Sequence, residues 1–355
     1  MIPLFKPYMP QELPELNTIL HSGALAYGQW GLEFERRLGE YIGNNLILAT
    51  NSFNVAYQVL LTTLDIKPED EVIGSPMTCL ASNQPFSTHG VQIIWADIEP
   101  STGMLDSENV RKKITPKTKA VLMNHFCGYV GYVDEMVSLC KEKGLYLIED
   151  AIEGFGAESK SKKVGNLGAD ATVYSFQTVR LPNTIDGGAV SFKEVALYEK
   201  AKLVRDYGID RPRFRDELKE ISPLCDISQP GYGATPSEIN SYVGWMQMEK
   251  INGLIEQQRK QARVWDALFE GKDIMPVSLV DNTKPNYWVY GVLTGNKREF
   301  MEEWRCKGYY ASGVHLPNTY YSIFGKHIDL KGVGEFYSKY VALPCGWWVN
   351  CENEK

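Results

Sequence analysis

The chain reads Tyr174-Ser175-Phe176-Gln177-Thr178-Val179-Arg180 and, a few residues later, Asp186-Gly187-Gly188. This stretch begins inside the apolar run 172–175, which predicts a buried strand. In open α/β sheets, ligands bind beyond the carboxyl ends of the strands. The stretch therefore predicts a ligand site that includes Ser175, with the guanidinium of Arg180 close by.

Short apolar runs and helical segments alternate on both sides of this stretch. Trp30, Phe34, Leu38 and Tyr41 are at helical spacing and predict the buried face of an early helix. The predicted strands are residues 46–49, 71–74, 91–95, 120–123, 145–148 and 172–175, and residues 55–64 form a predicted helix. Such alternation is typical of an α/β fold with a mostly parallel central sheet flanked by helices.

The length of 355 residues predicts two domains rather than one hydrophobic core. A Gly/Pro/Ser-rich stretch at residues 228–236 separates the alternating region from a charged, amphipathic segment at 237–268, which predicts one long helix. We place the large domain at residues 1–235 and a smaller C-terminal α+β domain at 236–355.

Composition excludes several classes of protein. A net charge of -7 argues against nonspecific nucleic-acid binding. No apolar run is long enough to span a bilayer, and the amino terminus lacks the regions of a signal peptide. The seven cysteines show no C-x-x-C spacing, which favours reduced thiols in a cytoplasm over disulfides or a metal site.

Two strand ends carry side chains suited to a phosphorylated heterocycle. Asp150 closes the run Leu147-Ile148-Glu149-Asp150-Ala151, and a carboxylate there can keep a ring nitrogen protonated. A solvated or helix-capping aspartate is the alternative. Thr50-Asn51-Ser52-Phe53-Asn54 connects a strand to a helix, where backbone N–H groups bind phosphate. An ordinary N-cap is the alternative for Ser52.

These motifs together resemble the DegT/StrS family of sugar-nucleotide aminotransferases, which are pyridoxal-phosphate (PLP) enzymes of fold type I. Similar stretches occur along most of the chain, at residues 23–28, 163–168, 203–209, 314–318 and 343–348. The resemblance implies PLP or its amine form, pyridoxamine phosphate (PMP), as the cofactor. It also implies a nucleotide-linked keto-sugar substrate, glutamate as amino donor, and a homodimer with its active site at the interface. The expected role is in surface-polysaccharide or antibiotic-sugar assembly.

The resemblance also implies a role for individual residues. It assigns the cofactor contacts to Ser52, Phe53, Asn54, Cys79, Asp150, Glu153, Ser175, Gln177 and Arg180, and the substrate contacts to His315 and Asn318. Asp150 would pair with the ring nitrogen, Ser52, Asn54 and Ser175 would bind the phosphate, and the catalytic set would be Arg180, Asp150 and Glu153.

Several positions depart from the family pattern, and Phe53-Asn54 is one such departure. Arg180 replaces the lysine that forms a Schiff base with the cofactor, and Cys79 replaces a ring that stacks on it. Glu153 replaces a glutamine near the ring oxygen. Gly233 replaces a side chain that reaches the partner subunit's phosphate. A guanidinium, with a pKa above about 12, is a poor nucleophile and a poor base, so ordinary transamination is in question.

Several hypotheses remain open at this point. The chain is an aminotransferase-family enzyme, a PMP-dependent sugar dehydratase-like enzyme, or a catalytically silent ligand-binding relative. Another lysine could take the missing role, with Lys160, Lys162 and Lys163 as the candidates. Residues 181–183 also depart from the family pattern, which favours natural divergence over a deliberate replacement of one lysine.

Overall fold

The computed structural model describes residues 1–349, and its main sheet contains seven strands. These strands are β1 (Ile47–Thr50), β2 (Glu71–Gly74), β3 (Gln92–Trp95), β4 (Thr118–Asn124), β5 (Tyr146–Asp150), β8 (Ala171–Ser175) and β9 (Gly188–Phe192). The spatial order is β1-β9-β8-β5-β4-β2-β3, and only β9 runs antiparallel to its neighbours. The prediction of a mostly parallel sheet is confirmed. Strand β9 was not predicted.

Helices cover both faces of this sheet. The helices are α1 (Leu16–His21), α2 (Gln29–Ile42), α3 (Phe53–Thr63), α4 (Leu80–Thr88), α5 (Ser107–Lys113), α6 (Val133–Lys143), α7 (Val195–Arg205), α8 (Arg211–Phe214), α9 (Glu238–Met248), α10 (Ile251–Phe269), α11 (Lys297–Cys306) and α12 (Lys331–Lys339). Strand residues alternate between two buried clusters. Ile73 lies in the cluster that contains Phe34 and Leu38, and its neighbour Val72 lies in the cluster that contains Tyr57 and Leu60. Burial on both faces explains why the strands are continuous apolar runs.

The early helix is confirmed as α2, with Phe34 and Leu38 fully buried and Trp30 and Tyr41 partly buried. The prediction of one helix over 237–268 is wrong. This segment forms two helices, α9 and α10, which are interrupted at Glu249 and Lys250.

The two helices share one buried cluster through Met248 and Ile251, but each also packs against groups of its own. Tyr242 and Trp245 of α9 contact Trp30 of α2, whereas Trp265 of α10 packs into a cluster nearer the carboxyl terminus. Helical spacing continues across the interruption, so the sequence pattern did not show it.

The C-terminal part contains a smaller antiparallel sheet. Its strands are β10 (Met275–Pro276), β12 (Tyr290–Leu293) and β13 (Tyr340–Leu343), and a third sheet joins β11 (Thr283–Lys284) to the hairpin of β6 (Glu158–Ser159) and β7 (Lys162–Lys163). The domain boundary at 235/236 stays a prediction. Within residues 1–349, no helix has the length and apolar character needed to cross a bilayer. None of the six cysteines in that range forms a disulfide, and Cys351 lies outside the described residues.

Candidate active site

The central sheet brings the predicted site segments together at one edge. Gly188 of β9 pairs with Thr50 of β1 on one side and with Ser175 of β8 on the other. A Cβ atom at Gly188 would lie 2.8 Å from the Cα of Phe53, so only glycine lets β9 approach the start of α3 this closely. The loop Thr50–Ser52 and Ser175 therefore flank one small patch of backbone.

Helix α3 begins at this patch with a polar cap. Ser52 is its N-cap, and the Ser52 Oγ atom accepts a 3.3 Å hydrogen bond from the N–H of Val55. The side chain of Phe53 is buried in the core, so Phe53 can contribute only its backbone, while Asn54 is exposed. The Ser175 Oγ atom accepts a 3.4 Å hydrogen bond from the N–H of Gln177, whose side chain is exposed. The first N–H groups of a helix favour an anion, which suits this turn to a phosphate.

Asp150 lies at the end of β5 and is fully buried. Its Oδ1 atom accepts a 3.0 Å hydrogen bond from the N–H of Ile152, whereas its Oδ2 atom has no hydrogen-bond partner among the described residues. Burial raises the pKa of Asp150 to about 6. The nearby Ser82 hydroxyl, which is outside normal hydrogen-bond geometry, and the Ile152 N–H partly oppose this effect. An unpaired, buried carboxylate oxygen is what a protonated ring nitrogen requires, so the residues present fit the cofactor.

Glu153 lies in a cluster of charged groups beside Asp150. Its Oε2 atom accepts a 2.7 Å hydrogen bond from the N–H of Cys127. Its Oε1 atom lies 2.9 Å from His315 Nε2 and 3.4 Å from Arg180 Nη1. Burial raises the pKa of the Glu153 carboxyl, but His315 and then Arg180 outweigh burial and keep this pKa below its usual range. Glu153 is therefore a carboxylate whose charge is compensated by its neighbours.

Arg180 is buried and is fixed on two sides. Besides its ion pair with Glu153, its guanidinium lies 4.2 Å from the ring centroid of Trp288. Trp288 also donates a 2.8 Å hydrogen bond from its Nε1 atom to the carbonyl of Val179, and its ring is parallel to that of His315. The Arg180 Nε atom has no partner in the described part of the chain. Sequence reasoning missed Trp288, because nothing near it in the chain marks it as a site residue.

Asn318 connects the loop that carries His315 to the strand-end turn before Cys79. Its Nδ2 atom donates to the carbonyl of Thr78 at 3.1 Å, and its Oδ1 atom accepts from Asn83 Nδ2 at 2.9 Å. Asn83 and Asn318 are both fully buried. The substrate contact of Asn318 stays a prediction, and the contacts observed here place its amide in fixing the loop.

The remaining departures from the family pattern have structural explanations. Cys79 precedes α4, and burial together with the Glu153 charge raises the pKa of its thiol to about 11, so it is neutral. A Cβ atom at Gly233 would lie 2.1 Å from the hydroxyl of Tyr207, so a side chain there would require the exposed Tyr207 ring to move.

The three alternative lysines are on the hairpin of β6 and β7 and the turn between them. Lys160 is ion-paired with Asp134 at 2.6 Å, and the Lys163 Nζ atom lies 4.7 Å from the ring centroid of Tyr41. Within residues 1–349, no ion pair of Arg180, Asp150 or Glu153 involves a lysine. This arrangement disfavours the hypothesis that another lysine takes the role of the missing one.

A mostly parallel sheet with a helix start, an unpaired aspartate and a cation at its strand ends defines a transferase of fold type I. The chain belongs to the DegT/DnrJ/EryC1/StrS aminotransferase family, whose model matches residues 8–354. The prediction of a fold-type-I enzyme of this family is confirmed.

Individual relatives agree with this assignment along nearly the whole chain. The UDP-4-amino-4,6-dideoxy-N-acetyl-beta-L-altrosamine transaminase of Helicobacter pylori is 27% identical over 94% of this chain and 90% of its own length. The sugar aminotransferase CalS13 from Micromonospora echinospora superposes with a TM-score of 0.93 at 25% identity, covering 99% of this chain and 97% of that chain. The PMP form of the putative sugar aminotransferase Spr1654 from Streptococcus pneumoniae has a TM-score of 0.90 at 22% identity, covering 99% of this chain and 96% of that chain.

Proposed function

We propose that the protein binds PLP or PMP and acts on a nucleotide-linked keto-sugar in amino-sugar biosynthesis. The unpaired Oδ2 atom of buried Asp150, at the same edge of the sheet as the start of α3, is the observation that carries this proposal. A UDP-sugar transaminase among the relatives and a PMP form among the similar structures support it. Glutamate is the proposed amino donor, on the family resemblance alone. The six cysteines of residues 1–349, none of which is in a disulfide, support a cytoplasmic location.

Different residues would bind the ring and the phosphate of the cofactor. Asp150 would hold the ring nitrogen, and the start of α3 with Ser52 and Ser175 would hold the phosphate. When bound, the cofactor supplies an electron sink and carries the amino group. Arg180 stays protonated, so it provides a fixed positive charge and neither takes up a proton nor forms a covalent bond. His315, 2.9 Å from Glu153, is the group of this cluster that can move a proton.

These properties of Arg180 favour PMP as the form that the protein uses. We expect PMP to bind in isothermal titration calorimetry. We also expect peptide mapping after treatment with PLP and borohydride to show no adduct on Lys160, Lys162 or Lys163, because no lysine within residues 1–349 is ion-paired with Arg180, Asp150 or Glu153. A borohydride-stable PLP adduct on one of these three lysines would contradict noncovalent use. Binding of neither form would support the catalytically silent relative instead.

A homodimer is proposed on the basis of an exposed aliphatic surface. Leu218, Ile221 and Leu224 are 82%, 62% and 85% exposed and lie close together in the sequence. Several large apolar side chains exposed on one short segment favour an interface. We expect a dimer in light scattering, and Leu218→Glu/Leu224→Glu to shift it towards monomer. Leu279→Glu, at an exposed position elsewhere, is the control, and an unchanged dimer in the double variant would exclude this surface.

A further inference from the structure

Glu153 and Arg180 form an ion pair that is almost completely excluded from solvent. Their side chains are 1% and 6% exposed, with 3.4 Å between Oε1 and Nη1. The carboxylate is itself fixed, because its other oxygen accepts the N–H of Cys127 at 2.7 Å. A buried charge of one sign favours the charged form of an opposite neighbour. The position of residue 180 is thus next to an immobile negative charge.

This charge has a consequence for any amine at position 180. To capture an aldehyde, the amine nitrogen must be neutral when it attacks the carbonyl carbon; the C=N bond then forms and water leaves. A carboxylate at hydrogen-bonding distance stabilises the ammonium form instead. Replacement of Arg180 by lysine alone therefore supplies an amine nitrogen, but Glu153 keeps that nitrogen in the ammonium form, which cannot attack the aldehyde.

We propose that Glu153 is the positioning residue that holds the guanidinium of Arg180 in place and would keep an amine at position 180 protonated, so that the site takes its cofactor noncovalently. Glu153 and Arg180 act as one matched pair: the carboxylate fixes the guanidinium against Trp288, and the guanidinium, together with His315, compensates the buried carboxylate. This inference rests on the proposed function, because it concerns the same cofactor site.

Trapping of PLP in four proteins tests the pair: the unchanged chain, Arg180→Lys, Glu153→Gln and Arg180→Lys/Glu153→Gln. Each is incubated with PLP across a pH series, reduced with borohydride and digested, and the PLP adduct at residue 180 is quantified by mass spectrometry of the peptide that contains it. The reducing hydride converts the C=N bond into a stable C–N bond. We expect no adduct without the lysine. We expect roughly tenfold more adduct near neutral pH in the double variant than in Arg180→Lys, with a midpoint about one pH unit lower, since one unit is a tenfold change in neutral amine.

Matched controls separate the charge of Glu153 from general damage. Arg180→Lys/Glu158→Gln removes a carboxylate that pairs with Arg259 instead, and it should behave like Arg180→Lys. Arg180→Lys/Glu153→Met provides a second neutral replacement if the glutamine variant is poorly folded. Calorimetric binding of PMP to every variant reports on the proposed function independently of covalent capture.

The outcomes distinguish the two claims. If the variants bind PMP but the double variant is trapped no more readily than Arg180→Lys, the role of Glu153 is overturned and the proposed function stands. If no variant binds PMP and none is trapped, both claims are overturned. Trapping that rises only when Glu153 is neutralised supports the matched pair.

Discussion

Asp150→Asn is expected to stabilise the cofactor-free protein while it destroys cofactor binding. Burial raises the pKa of Asp150 from 3.8 to about 6, a cost of about 3 kcal/mol for ionising it in the folded state. Asparagine is uncharged and keeps an acceptor for the N–H of Ile152, so the free energy of unfolding should rise by up to that amount near neutral pH. Stability and function therefore change in opposite directions at this residue.

The pH dependence of this gain follows from the direction of the shift. A carboxyl whose pKa is higher in the folded state stabilises the fold when protonated. That contribution is complete below the unfolded value of 3.8 and is lost as the pH rises through about 6. Urea unfolding of cofactor-free protein should show no difference between Asp150→Asn and the unchanged chain at low pH and the full difference above about 6. A variant that is less stable at every pH would contradict the unpaired state of Oδ2.

The effect of Asp150→Asn on cofactor binding is measured by the affinity for PMP. Removing one member of a buried hydrogen-bonded charge pair costs about 2–5 kcal/mol, which corresponds to a loss of affinity of roughly thirtyfold to several thousandfold. Asp170→Asn is the matched control, because Asp170 Oδ2 accepts the N–H of Leu147 at the opposite end of β5. Unchanged PMP affinity in Asp150→Asn would remove Asp150 from the cofactor site.

The central sheet could be predicted from the sequence because its strands are buried on both faces. Continuous apolar runs placed β2 at its observed bounds and the other predicted strands within two residues. Strand β9 was not predicted because its glycine and small residues do not form a continuous apolar run. Its antiparallel direction depends on pairing with β1 and β8, which the sequence pattern does not show. The interruption at Glu249 and Lys250 also depends on packing, since α9 and α10 contact different partners.

The candidate site was predictable only where its residues come from strand ends. Asp150, Ser175 and Ser52 follow apolar runs, so their proximity follows from a parallel sheet. Glu153 and His315 are in contact although they are 162 residues apart in the sequence. Trp288 and Arg180, which stack on each other, are likewise far apart in the sequence. Such contacts depend on how the C-terminal segments pack over the sheet, which no local pattern encodes.

The end of β1, which leads into the Ser52 turn, is fixed by a second buried ion pair. Arg205 and Glu35 are ion-paired, and Arg205 also donates to the carbonyl of Ala49 at 2.9 Å. Glu35 accepts the N–H of Ala49 at 2.9 Å and the hydroxyl of Tyr27 at 2.7 Å. Both backbone groups of Ala49 therefore depend on this pair.

Arg205→Met is expected to lower the free energy of unfolding by about 3–5 kcal/mol, because it leaves the Glu35 carboxylate buried without its counter-charge. Glu35→Leu/Arg205→Met should lose less than Arg205→Met alone, since no unpaired charge remains in the core. PMP affinity should fall in the single variant, because the strand end that leads to Ser52 loses its support. Arg298→Met, which breaks an exposed pair with Glu302 on α11, should cost less than about 1 kcal/mol. Equal losses for the single and double variants in urea unfolding would show that packing, not charge, accounts for the contribution of Arg205.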